Sequence, residues 1–99
     1  MKHLERLFQK LEETPFPAMG KRVGHFPLYD SYLAGYASSV IHGKAPPEPE
    51  AMDADEETRQ VIAGITAKEN RSPEEQEFLD YYALLQEIRE AILATRPRI

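Results

Sequence analysis

Residues 72–97 read SPEEQEFLDYYALLQEIREAILATRP, and this stretch decides the fold. Ser72 stands at an N-cap position, Pro73 follows at the first helical position, and Glu75 comes three residues after the serine. Together they form a capping box with a preset backbone angle. Phe78, Tyr81, Tyr82, Leu85, Ile88 and Ile92 then recur at helical spacing, and Leu84 and Ala91 widen the stripe. Arg96 complements the helix dipole and Pro97 closes the run. The pattern predicts a helix over about 73–95, the longest in the chain.

The eight prolines divide the remainder, because proline breaks a helix interior. Over about 2–13, Leu4, Leu7, Phe8 and Leu11 form an apolar stripe with charged residues on the other faces. Thr14-Pro15 ends that helix. A second helix is expected over about 28–42, with Gly43 as its left-handed cap and Pro46-Pro47 beyond. A third is expected over about 53–68, capped by Asp53 or Asp55, with Val61, Ile62 and Ile65 as a narrow stripe. Residues 14–27 read as a long ordered loop, anchored by Phe16, Met19, Val23 and Phe26. Arg22 to Phe26 is the one stretch with strand character, and a lone ribbon is marginal. The fold class is therefore all-α. One domain, 1–99, forms a compact bundle of about four helices with that loop between helices 1 and 2.

Composition removes several functions. The chain has 99 residues, 12 Lys plus Arg, 17 Asp plus Glu, and no cysteine. No disulfide, cysteine-ligated zinc or thiol nucleophile is available. The first twenty residues are too charged for a signal peptide, and no stretch of about 18 apolar residues exists to span a membrane. A soluble cytoplasmic protein is expected. Residues 1–43 carry five basic and four acidic groups, 44–77 four and ten, and 78–99 three of each. An acidic middle opposes phosphate, so no nucleic-acid partner is expected.

No catalytic constellation appears. His3, His25 and His42 form no metal-ligand spacing, and the serines lie outside any nucleophile motif. The acidic run from Asp53 misses a calcium loop, because its sixth position is Thr58 and its twelfth is Gly64. No enzyme activity, metal or cofactor is implied.

The segment over 28–42 is the informative one. Between Asp30 and Lys44 it has no Lys, Arg, Asp or Glu. Tyr29, Tyr32, Leu33, Tyr36 and Val40 would cover one face, and Ala34, Gly35, Ser38 and Ile41 much of the other. A helix apolar or small all round is usually buried on both sides. Either it is the central helix of the bundle, or one face meets another chain. The second possibility makes Tyr29, Tyr32, Ala34, Gly35, Tyr36, Ser38 and Ile41 candidates for a dimer or partner interface. The expected function is a small acidic interaction or regulatory module that self-associates, as a homodimer or with another protein. The alternative is a small anionic-ligand site, with Lys21, Arg22 and His25 leading into the helix start and Tyr29 or Tyr32 as a wall.

Overall fold

The computed structural model describes residues 2–95. Four helices are present: α1 (Lys2–Glu13), α2 (Phe26–Ile41), α3 (Glu56–Thr66) and α4 (Pro73–Leu93). Two short 3-10 turns, Met19–Arg22 and Pro49–Met52, interrupt the connections. Among the described residues there is no strand, and no helix is long and apolar enough to cross a membrane. The all-α bundle is the fold the stripes predict.

The capping box of α4 forms as its sequence dictates. The Ser72 hydroxyl accepts from the Glu75 amide at 3.1 Å, and the Glu75 carboxylate accepts from the Ser72 amide at 2.9 Å. Lys68 also reaches Glu75. That ammonium, with the Ser72 amide, holds the Glu75 carboxyl below its usual range. Arg71 closes the other side of this turn, donating to the carbonyls of Ile65 and Thr66 at 3.0 and 2.8 Å. Both lie at the end of α3, where carbonyls run short of helical donors, and the Ile65 carbonyl also accepts from the Lys68 N–H at 3.1 Å.

α4 packs against α1, α2 and α3, while α1 also meets α2. The core runs along it, with Phe78, Leu85, Ile88 and Ile92 fully buried. Phe26 is the aromatic hub. Its ring centroid lies 4.8 Å from Phe78, 5.7 Å from Phe16, 6.1 Å from Tyr81 and 6.3 Å from Tyr29. These tilted and edge-on rings suit the aromatic quadrupole.

The element boundaries need correction. The connection after α1 is shorter and more ordered than a long loop over 14–27. It covers residues 14–25 and contains the 3-10 turn, tied by Gly20 N–H to the Pro17 carbonyl at 3.0 Å. Helix α2 starts at Phe26, not 28, because Pro27 sits in the first turn, where its missing N–H costs nothing. α3 spans 56–66 rather than 53–68. Asp55 is its N-cap, and the preceding residues fold as a separate turn that buries Met52. α4 ends at Leu93, two residues early. Arg96 and Pro97 lie outside the described residues.

The C-terminal end of α2 follows expectation. Gly43 has φ +90°, its N–H donates to Val40, and the Lys44 N–H donates back to Ser39. This is a Schellman closure, which needs a residue free to enter left-handed backbone.

Candidate interaction surface

Cα positions extend over 43 × 26 × 22 Å. α4 contacts α1, α2 and α3, whereas α2 keeps an outer face that carries the exposed Leu28 and Tyr32. α2 is therefore not a central helix. That position belongs to α4, which alone packs on all three others.

α2 has two unlike faces. Phe26, Tyr29, Leu33, Ala37 and Val40 are buried. Leu28 is 51% exposed and Tyr32 56% exposed, and among the described residues these are the exposed large hydrophobic side chains. Ser31 and Gly35 share that outward face, and a Cβ built on Gly35 meets nothing within 4 Å.

The inner face is tied by hydrogen bonds. Tyr29 donates its hydroxyl to the Met52 carbonyl at 3.0 Å and accepts from Gln86 Nε2 at 2.8 Å. Burial pushes the Tyr29 phenol up to about 12, against the opposing pull of the Gln86 hydrogen bond. Tyr81 donates to Asp30 at 2.7 Å. Burial raises the Asp30 carboxyl, and the Tyr81 hydroxyl offsets part of that rise. Tyr29→Phe is expected to cost about 1–2 kcal/mol, because it leaves the Met52 carbonyl short of a donor. Urea denaturation measures the loss.

The interface candidates separate accordingly. Tyr32 and Gly35 are exposed, while Ala34, Tyr36, Ser38 and Ile41 are half-buried along the flanks. Tyr29 belongs to the core and is exposed only slightly, at the wall of a cleft. Leu28 was not among the residues the tyrosine and small-residue patterns single out. Its signal is its spacing, four residues before Tyr32 and seven before Gly35 on the side opposite Phe26 and Leu33.

Beside Leu28 and Tyr32 lies a shallow cleft of about 250 Å³, also lined by His25, Tyr29, Ala51, Asp53 and Asp55. Three of the five ligand candidates, His25, Tyr29 and Tyr32, meet there. Lys21 and Arg22 do not line it. Both are exposed on the 3-10 turn, and Arg22 pairs with Glu74 at 2.8 Å. The cleft's carboxylates already have partners, Asp53 with Arg89 at 2.9 Å and Asp55 with Thr58. At the start of α2 the Glu57 carboxylate packs over Gly24, where an added Cβ would lie 2.5 Å from its oxygen. A free anion entering the cleft meets Asp53 and Asp55, so the electrostatics oppose the anionic-ligand arrangement.

Compared with known protein families, curated proteins and solved structures, the chain matches none.

Proposed function

We propose that this chain is a small protein-interaction module that self-associates through the outward face of α2. The observation that carries this reading is the pair Leu28 and Tyr32, exposed one helical turn apart at the start of a face without Lys, Arg, Asp or Glu from Ser31 to Gly43. A chain of net charge −5 brings two copies together most easily where neither copy carries charge.

The order of residues along the face favours a second copy over an unrelated protein. Its N-terminal half holds the bulky Leu28 and Tyr32, and its C-terminal half holds Gly35 and Ser39. Two such helices crossing antiparallel about a two-fold axis set each bulky half against the other's small half. Self-complementarity of this kind is what an isologous interface needs. A single helix crossing is smaller than a standard interface of roughly 1,600 Å², so the association is weak and concentration-dependent. We place this activity in the cytoplasm, a reducing compartment that suits a chain without cysteine.

Light scattering behind a sizing column tests the reading. The molar mass is expected to climb from 11.3 kDa toward twice that value as protein concentration rises. Tyr32→Glu and Leu28→Glu are expected to hold it at the monomer value with unchanged helical circular dichroism, since both side chains point into solvent. A monomeric wild type up to millimolar concentration, or a dimer indifferent to both substitutions, overturns the proposal.

A further inference from the structure

The outward stripe of α2, from its N-cap to its C-cap, runs through His25, Leu28, Tyr32, Gly35, Ser39 and His42. All are exposed except the half-buried Ser39. They alternate spacings of three and four residues, as the seam of a coiled coil does. The six positions are also symmetric about the midpoint between Leu33 and Ala34. An antiparallel copy centred there pairs Tyr32 with Gly35, Leu28 with Ser39 and His25 with His42. Each bulky side chain then faces a small residue.

The two ends of this stripe carry opposite charge. At its start, the cleft beside Leu28 and Tyr32 is lined by Asp53 and Asp55. Arg89 engages Asp53 Oδ1 but is shared with Glu90, and the Asp53 side chain stays 53% exposed. Just past the other end stands Lys44, the only Lys or Arg between Arg22 and Arg59. Lys44 is exposed and, among the described residues, its side chain makes no hydrogen bond or ion pair. The pairing of His25 with His42 brings the partner's Lys44 to the first turn of α2, where the cleft opens. A parallel pairing would instead set Lys44 against Lys44 and the carboxylates against each other, which like charge opposes.

We infer, on the basis of the self-association proposed above, that Lys44 of one copy seats at the mouth of the other copy's cleft, beside Asp53. The contact forms twice about the two-fold axis and fixes the antiparallel register. The apolar stem of a lysine suits the Leu28 and Tyr32 wall while its ammonium reaches the carboxylate. Asp55 adds field rather than a direct bond, because Thr58 holds both of its oxygens. Lys44 is thereby the residue that selects a second copy of this chain over another helix with an uncharged face.

Dimer dissociation constants from light scattering over a concentration series test the contact. Lys44→Glu is expected to weaken association about tenfold or more, and Lys44→Arg to keep it within about twofold. Lys10→Glu, the same charge change at an exposed position of α1, is expected to stay within about twofold of wild type. Lys44→Ala and Asp53→Asn are each expected to weaken association, and the double variant to be no weaker than the weaker single. The register has its own readout, because the chain has no cysteine. His25→Cys and His42→Cys, mixed and oxidised, are expected to form a disulfide joining positions 25 and 42 in excess of either homodisulfide. A dimer that Tyr32→Glu dissociates but Lys44→Glu does not overturns the Lys44 contact and leaves self-association standing. Full additivity of Lys44→Ala with Asp53→Asn, or a predominance of homodisulfides, does the same. A monomeric wild type overturns both. Circular dichroism of each variant separates a lost contact from a lost fold.

Discussion

Phe26→Ala is expected to destabilise the protein by about 3–5 kcal/mol, a large share of the roughly 5–15 kcal/mol typical of a single domain. Phe26 is fully buried and joins three parts of the molecule. It begins α2, it stacks edge-on with Phe78 of α4, and it meets Phe16 in the connection after α1. Urea denaturation is expected to show a much lower midpoint with an unchanged slope. A loss under about 1 kcal/mol means that the ring is not the hub its contacts imply. Gly20 sharpens the prediction. A Cβ built there lies 2.9 Å from the Phe26 ring, so Gly20→Val overfills the wild-type core. Shortening the ring by Phe26→Leu removes that clash, so the two substitutions are expected to be non-additive.

Asp55→Ala is expected to cost about 2–3 kcal/mol, more than an ordinary N-cap. One Asp55 oxygen accepts from the Thr58 amide at 3.2 Å, and the other accepts from the Thr58 hydroxyl at 2.6 Å. Thr58 is fully buried, so removing the carboxylate uncaps α3 and strands a buried hydroxyl. The effect depends on pH. Burial alone would raise the Asp55 carboxyl, but the Thr58 hydroxyl and amide outweigh it and hold the group below its usual value of 3.8. A carboxyl lowered on folding stabilises the protein above its unfolded value, and the stability is lost as pH falls through the lower, folded value. The gap between wild type and Asp55→Ala is therefore full at pH 7 and narrows below about pH 4. Asp30 has the opposite sign. Its raised carboxyl favours the folded state below the ordinary carboxylate range, and that contribution disappears as pH rises through its folded value. Urea midpoints of both proteins at pH 7 and pH 3 check the difference.

α1 and α4 were legible in the sequence because each buries one unbroken stripe, and because the Ser72 box is a purely local device. Misplaced boundaries fall where tertiary contacts decide. Pro27 reads as a break until Phe26 is seen to begin the buried face of α2. The separate turn at Pro49–Met52 exists because Met52 is buried and Tyr29 bonds its carbonyl. The same contact explains the divided tyrosines. Their spacing puts Tyr29, Tyr32 and Tyr36 on one side, but Phe26, Leu33 and Ala37 centre the buried face so that Tyr32 swings outward. Low charge on α2 pointed to a possible open face. Only the packing of the other helices shows that this face is uncovered within the chain.

The position of α4 governs how the chain reaches its fold. On the ribosome, residues 1–72 emerge before the helix on which α1, α2 and α3 all pack. Each early helix is then an amphipathic segment without its main partner, and isolated helices of 11 to 16 residues are marginal in water. Native structure has to wait for α4, and α1 must close a loop of about sixty residues to find it. Such long-range pairing is slow to nucleate for a helical protein, and it makes collapse a single late event rather than a stepwise accretion.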